Sequence, residues 1–139
     1  MPQALSDPAV AVSALSLSLE PRLPLLGLVE YGANRRSRNR GTPYGDQSLS
    51  LRRETFEALG GFPRQQLLED LDLVREAARR GGRVVTLAPA VRSSARRWQK
   101  FGVLGNTLLN QCVLVGHAVG VPLPRLAQWY YGPRGKKEY

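Results

Sequence analysis

The sequence predicts a mixed α/β fold in which a few strands pack with helices. From Ala9 to Leu19, apolar residues alternate with serines, which is typical of a half-buried strand. The β-branched run Arg83 to Leu87 indicates a second strand, and between the two the apolar residues recur at helical spacing. With 139 residues the chain has the size of one domain and can bury a core.

The first strand and the helix after it occupy the N-terminal third. A strand as long as Ala9–Leu19 should pair with a neighbour, and if its edge is left unpaired we expect self-association. Pro21 and Pro24 interrupt the chain, and a helix is predicted from Leu25 to about Arg38. Its predicted apolar face consists of Leu25, Leu28, Val29 and Gly32.

A short strand and a short helix follow. Gln47–Leu51 alternates like a strand, and Arg53–Leu59 is predicted to be helical. Gly60 should end this helix in the left-handed conformation that glycine adopts readily. Phe62 should then pack back on Phe56.

The next helix runs from about Leu68 to Arg80 and is followed by the strand Arg83–Leu87. A further strand is predicted at Ala90–Arg96. The buried face predicted for the helix consists of Leu67, Leu71, Val74 and Ala78.

A longer helix, Gly102 to Val119, carries two stripes, and a last helix is predicted at Arg125–Tyr131. The apolar stripe consists of Leu104, Leu108, Cys112, Val115 and Val119. The polar stripe consists of Asn106, Asn110 and His117. Two interpretations remain open: an amphipathic helix that closes the domain, or a helix that lies on a membrane surface. The polar residues argue against a central position in a bilayer.

Composition excludes some classes of function. The net charge of +9 comes mostly from clustered arginines and attracts anions of any kind, including anionic lipid. The single cysteine, Cys112, allows no intrachain disulfide and should be a small buried hydrophobe. With one histidine, His117, a zinc site is not expected. A basic stripe interleaved with aromatic residues is missing, so we expect no nucleic-acid partner.

Three carboxylates, Glu69, Asp70 and Asp72, fall in the first turn of the predicted helix at residue 68. Either they cap the helix and offset its dipole, or one faces a cleft and acts as a general base. Asp70 and Asp72 also form a D-x-D pattern, which could hold a divalent cation. However, residues two apart on a helix point about 200° apart, so we expect no metal there.

Several motifs in a fixed order resemble the second half of family 2 glycosyltransferases, in particular a group found beside radical-SAM and selenoprotein-associated domains. The similarity extends from about Val10 to Tyr131. The motifs are Pro43-Tyr44-Gly45-Asp46-Gln47, Arg52-Arg53-Glu54-Thr55-Phe56, Gly60-Gly61-Phe62, Leu68-Glu69-Asp70-Leu71-Asp72-Leu73 and Ser93-Ser94-Ala95-Arg96-Arg97-Trp98.

The resemblance implies a GT-A, Rossmann-like fold and inverting transfer of a sugar from a nucleotide-sugar to an acceptor hydroxyl. It implies that Asp70 is the base that deprotonates the acceptor and that Glu69 shapes the site. It also implies that Asp46 and Gln47 lie on a strand that borders the acceptor cleft and contact substrate.

The segment from Ser94 to Trp98 resembles the Q-x-x-R-W motif of processive family members. Ser94 stands where that motif has glutamine, so processive polymerisation is not implied. Arg96 and Arg97 would neutralise a leaving diphosphate, with Trp98 beside the substrate. Alternatively, Trp98 belongs to the core and the arginines are solvated.

The resemblance covers only the acceptor side of the fold. We therefore expect the N-terminal half, with the nucleotide-binding segment and the D-x-D site for Mg²⁺ or Mn²⁺, to be absent. The expected organisation is an acceptor-side unit at residues 1–132 and a basic flexible tail at 133–139. Activity would then need a partner half that binds the donor. The expected location is cytoplasmic, with peripheral contact to a membrane. The alternative is a non-catalytic basic module that binds a membrane surface or another anion. A small nucleic-acid-binding protein is a third alternative, which the net charge permits and the missing motifs disfavour.

Overall fold

The structure is a computed structural model that describes residues 2–132, so the tail predicted at 133–139 lies outside the described residues. It contains three strands and seven α-helices within that range, which confirms the α/β class. The strands are β1 (Val10–Glu20), β2 (Ser50–Leu51) and β3 (Arg83–Ser94). The helices are α1 (Pro2–Leu5), α2 (Leu26–Arg40), α3 (Arg53–Ala58), α4 (Glu69–Arg79), α5 (Arg96–Phe101), α6 (Val103–Ala118) and α7 (Leu123–Tyr131).

Strand β1 is the centre of the sheet, whose order is β2-β1-β3. It pairs antiparallel with β2 and parallel with β3. Both of its faces are buried, so that Val12 and Ser13 are each fully inaccessible to solvent. The prediction of a half-buried strand was therefore wrong, because helices cover both sides of the sheet and the alternating serines are buried as well. The expected self-association had an exposed edge of β1 as its premise; that edge is covered, since β3 pairs along one side of β1 and β2 with polar side chains occupies the other.

Strand β3 joins the two strands that were predicted at Arg83–Leu87 and Ala90–Arg96. Its register against β1 shifts where Leu15 pairs with Leu87 and Ser16 pairs with Ala90. The extra residues form a bulge that contains Pro89, a position that tolerates proline because its missing N–H is not needed there.

Helix α2 covers the edge of β1 that the two-residue strand β2 leaves unpaired. The side-chain amide of Asn34 accepts a hydrogen bond from the Leu17 N–H (2.7 Å) and donates one to the Leu17 carbonyl (3.0 Å). Glu30 accepts from the N–H of Leu19, and Gln47 Nε2 donates to the Leu15 carbonyl at 3.1 Å. Three polar side chains thus satisfy backbone groups that a further strand would otherwise pair.

The buried face of α2 differs from the predicted one. Leu26, Ala33 and Ser37 are buried, whereas Leu25 and Leu28 are 53% and 68% exposed. The prediction selected the most apolar face, but the strand edge needs hydrogen-bond partners, which lie on the face with Glu30 and Asn34.

The stretch Gly45–Gln47 forms a 3₁₀ turn rather than part of a strand, and only Ser50–Leu51 of the predicted strand pairs with β1. The predicted placement of Asp46 and Gln47 on a strand was therefore wrong. Ser48 explains the break, since its left-handed backbone (φ 53°) cannot continue a strand.

The end of α3 is as predicted. Gly60 has φ +84°, in the left-handed region, and the ring of Phe62 packs edge-on against Phe56 with centroids 5.4 Å apart. Helix α4 then packs against β1 through Val74 and Ala77. The predicted face was wrong at Ala78, which is exposed.

Helix α6 has the predicted bounds, but it turns its polar stripe inward. Asn106, Val113 and Gly116 are buried, while the apolar stripe from Leu104 to Val119 is exposed. Cys112 is also exposed, so its expected burial was wrong. Within residues 2–132, no helix is both long enough and apolar enough to cross a membrane.

Candidate functional site

Two adjoining clefts lie between the 3₁₀ turn, α2, α6 and the start of α4. The first, here called the acidic cleft, has a volume of about 610 Å³ and contains Asp46, Glu69 and Asp70. The second, here called the basic cleft, has a volume of about 560 Å³ and contains Arg35, Arg36 and Arg40. Their shared wall consists of Tyr44, Asp46, Trp98, Asn110 and Leu114.

Asp70 is held at the wall of the acidic cleft by backbone donors. Its Oδ2 accepts from the Gly45 N–H at 2.5 Å, and its Oδ1 accepts from the Leu71 N–H at 2.8 Å. A Cβ at position 45 would lie 3.0 Å from Asp70 Oδ2, so glycine there allows the close approach. Each carboxylate oxygen has two lone pairs, so a fixed Asp70 can still accept a proton from a ligand.

Asp46 lies between the two clefts. The residue is solvent-accessible, but its carboxyl group sits in the concave wall, where burial raises its pKa above the ordinary value of 3.8. The cation of Arg36 opposes this rise, and the negative charge of Asp70 adds to it. The Asp70 carboxylate is therefore close enough to act electrostatically on the Asp46 carboxylate.

Tyr44 and Arg36 form the junction of the clefts. The Arg36 guanidinium lies over the Tyr44 ring, 3.8 Å from its centroid, and its Nε donates to the Thr42 carbonyl at 3.1 Å. Burial raises the pKa of the Tyr44 hydroxyl above 10.0, with Arg36 opposing the rise. The arrangement combines an aromatic surface with a positive charge directly beside the carboxylates.

Asp72 points away from Asp70. Its Oδ1 lies 3.0 Å from His117 Nε2, and its Oδ2 accepts from Gln65 Nε2 at 2.9 Å. The D-x-D residues thus have different partners on different sides of α4. They do not fit a shared metal ion, and within the described part of the chain no group of three or more metal-binding side chains occurs.

The structure brings four of the seven predicted site residues to the acidic cleft: Asp46, Glu69, Asp70 and Trp98. The Trp98 indole N–H is buried and has no hydrogen-bond partner among residues 2–132. Gln47 is fully buried behind the turn, where its side chain bonds to the backbone of Leu15.

The two predicted arginines lie outside both clefts. Arg96 is exposed and its Nε donates to Ser94 Oγ at 3.1 Å. Arg97 donates to Asn106 Oδ1 at 3.1 Å and to the carbonyl of Tyr130, and its guanidinium lies 3.7 Å from the centroid of that ring. Tyr130 lines the acidic cleft, so Arg97 contacts the cleft only indirectly, by packing against Tyr130.

Sequence reasoning missed most of the cleft wall. The arginines of the basic cleft were recognised only among the clustered arginines behind the net charge, and Tyr44 only as part of a motif. Asn110 and Tyr130 come from α6 and α7, far along the chain. The arginine spacing at 35, 36 and 40 was an available signal, since 36 and 40 share one face of a helix.

Comparison with known proteins gives no matching family model, no matching curated protein and no matching solved structure. The resemblance to family 2 glycosyltransferases therefore stays a prediction that depends on the motifs themselves.

Proposed function

We propose that the chain carries the acceptor side of an inverting glycosyltransferase, with Asp70 as the general base. The observation that carries the proposal is the carboxylate of Asp70, which two backbone N–H groups hold at the wall of a 610 Å³ cleft. A positioned carboxylate within hydrogen-bond reach of a hydroxyl is what general-base catalysis requires. Glu69 lies beside it in the same wall.

The lining of the acidic cleft suits a saccharide acceptor. Phe62, Trp98 and Tyr131 supply aromatic surface, and Asn110 supplies an amide that can bond to hydroxyl groups. A few polar groups placed in an otherwise apolar and aromatic pocket are typical of small-molecule sites.

The proposed reaction transfers a glycosyl group between two oxygens. The acceptor hydroxyl oxygen attacks the anomeric carbon while Asp70 takes its proton. The bond from that carbon to the diphosphate breaks, and the diphosphate leaves with the electron pair. Arg35, Arg36 and Arg40 of the basic cleft could compensate the negative charge of the leaving group. No step is assigned to a metal ion.

A binding experiment on the chain itself tests the site. Amide NMR spectra of the labelled chain are recorded with UDP- and GDP-sugars and with simple glycosides. We expect shifts at Gly45, Asp46, Asp70 and the Trp98 indole. If millimolar saccharides leave these signals unchanged, the cleft is not a saccharide site.

A substitution tests the role of Asp70. In any preparation that transfers sugar, including the chain supplemented with a donor-binding half, D70N should lower the rate by about 10²–10⁴-fold, because the amide cannot accept the proton. The matched control is E57Q on the exposed face of α3, which removes one charge at a residue that lines neither cleft. Equal rates in D70N and E57Q would exclude Asp70 as the base.

A non-catalytic module is the second candidate, favoured by the three arginines of the basic cleft. In that case inorganic phosphate and nucleoside diphosphates should bind the chain, R36A should weaken binding, and no condition should give transfer. Detection of a glycoside product that depends on Asp70 would exclude it.

A further inference from the structure

The most unusual surface of the molecule is the apolar stripe of α6, which faces away from the domain. Four of its side chains are between 61% and 73% exposed: Leu104, Leu108, Val115 and Val119. Cys112 is exposed within the same stripe, and Phe101 is 50% exposed just before the helix. These residues are here called the outer stripe.

The geometry of the helix makes the outer stripe continuous. At about 100° per residue, its four α6 side chains and Val119, which directly follows the helix, fall within roughly 80° of the helix circumference. The 16 residues of α6 extend about 24 Å at 1.5 Å per residue. The helix contains no Asp, Glu, Lys or Arg. An exposed apolar surface of this extent marks an interaction site.

The contacts on the buried face of α6 explain why the outer stripe is exposed. Asn106 accepts a hydrogen bond from Arg97, and His117 pairs with Asp72 on α4. At Gly116 a Cβ would lie 2.7 Å from Leu126 Cδ2, so α7 packs directly on the helix backbone there. Rotating the stripe inward would break both polar contacts and this close packing.

The positive charge of the chain favours an anionic partner for the outer stripe. The chain has a net charge of +9, and the exposed cations Arg96 and Lys100 lie in α5, directly before the stripe. A second copy would bring the same positive charge, which opposes association, whereas an anionic lipid surface attracts it. Binding to a lipid interface grows with the apolar area inserted and with the attraction of basic residues to anionic lipid, and the outer stripe with its neighbouring cations supplies both.

We propose that α6 lies flat in the interface of an anionic membrane, with the outer stripe inserted among the lipids. With 16 residues, α6 is shorter than the approximately 20 that span a bilayer, so the helix lies along the surface. Asp46, Glu69 and Asp70 line a cleft that also contains Asn110, Val113 and Leu114 of α6. The clefts would therefore stay near the membrane surface. The proposal does not depend on sugar transfer.

Sedimentation with vesicles tests the proposal. The full chain is mixed with vesicles of phosphatidylcholine containing phosphatidylglycerol, and with vesicles of phosphatidylcholine alone. We expect partition into the anionic vesicles and a loss of at least about tenfold in the double variant L108K/V115K. The control A78K adds a cation at an exposed position of α4 and should bind at least as well as the wild type. Circular dichroism of each variant checks the fold.

Three outcomes of this experiment would overturn the proposal. The wild type could stay in solution with anionic vesicles. L108K/V115K could bind as the wild type does, which would assign binding to charge alone. The wild type could also form a dimer that L108K/V115K dissociates without any vesicle binding, which would assign the outer stripe to a second copy.

The single cysteine gives an independent measurement. An environment-sensitive dye on Cys112 should shift to the blue with anionic vesicles and be quenched by lipids that carry a quencher in their acyl chains. A dye on the variant C112S/E57C, whose label lies on α3, should show neither change. Unchanged emission at Cys112 while the chain sediments with vesicles would exclude insertion of the stripe.

Discussion

Asn34 replaces a strand at the edge of β1, and its removal should destabilise the fold severely. Its amide makes two hydrogen bonds to Leu17, at 2.7 and 3.0 Å, and Leu17 is only 5% exposed. Leucine has nearly the same size but can neither donate nor accept a hydrogen bond. The variant N34L would therefore leave one backbone N–H and one backbone carbonyl unpaired in a region that water hardly reaches.

The magnitude follows from the cost of an unpaired buried group, about 1–3 kcal/mol each. Two such groups give a loss of about 2–6 kcal/mol in the free energy of unfolding, out of the roughly 5–15 kcal/mol that a domain of this size has. With a urea dependence of about 1.5 kcal/mol per molar, the unfolding midpoint should fall by at least about 1 M.

Urea unfolding followed by circular dichroism measures this loss. The matched control is N39L, the same exchange at an exposed position of the same helix, which should change the free energy by no more than about 0.5 kcal/mol. If N34L is no less stable than N39L, water forms hydrogen bonds to the backbone N–H and carbonyl of Leu17 instead. The hydrogen bonds from Asn34 to β1 would then not stabilise the fold.

The other predictions concern the site and the packing of the sheet. Because the pKa of Asp46 is raised in the folded chain, the folded chain binds the Asp46 proton more tightly than the unfolded chain does. Ionisation of Asp46 therefore destabilises the fold. This destabilisation is absent below the ordinary pKa of 3.8 and grows as pH rises through the higher pKa of the folded chain. D46N should therefore gain stability over the wild type between pH 3 and pH 7 in urea unfolding, and a pH-independent difference would contradict the cause given. G82A should lose about 1–3 kcal/mol, because its Cβ would lie 2.3 Å from another Cβ on β1. Thermal unfolding compares G82A with G27A, whose Cβ meets nothing within 4 Å. Equal stabilities would show that the close contact between position 82 and β1 does not limit the side chain there. G45A should displace the Asp70 carboxylate, and the loss in free energy of saccharide binding should exceed the loss in free energy of unfolding. Unchanged binding by titration calorimetry would show that saccharide binding does not need the close approach of Asp70 to Gly45.

Local patterns in the sequence predicted most elements but not the faces they bury. The bounds of α2, α3, α4 and α6 follow from helical spacing and from glycine at helix ends, which are short-range effects. The buried faces were predicted by assuming that the most apolar side packs inward. That assumption was correct for most of α4 but wrong for α2 and α6. There, Asn34 and Asn106 face inward because backbone groups of β1 and the guanidinium of Arg97 need partners.

The same distinction applies to the site. The acidic first turn of α4 and the residues around Asp46 are visible in the sequence, because they lie in short contiguous motifs. The convergence of Asp70 with Gly45 could not be derived from spacing, since 25 residues separate them and only the fold closes that distance. The positions of Arg96 and Arg97 outside the clefts were equally hidden, because they depend on contacts with Ser94, α6 and α7.

The sequence by itself therefore determined the α/β class, the order of the longer helices and strands, the turn at Gly60 and the acidic start of α4, but not the short helices α1 and α5. Each of these follows from interactions between residues a few positions apart. Only the tertiary structure decided that β1 is central, that Asp70 meets Gly45 and that the apolar stripe of α6 faces outward. These features depend on contacts between residues far apart in the sequence. Which side chains are buried and which groups pair by hydrogen bonds is fixed only when those residues meet in the folded chain.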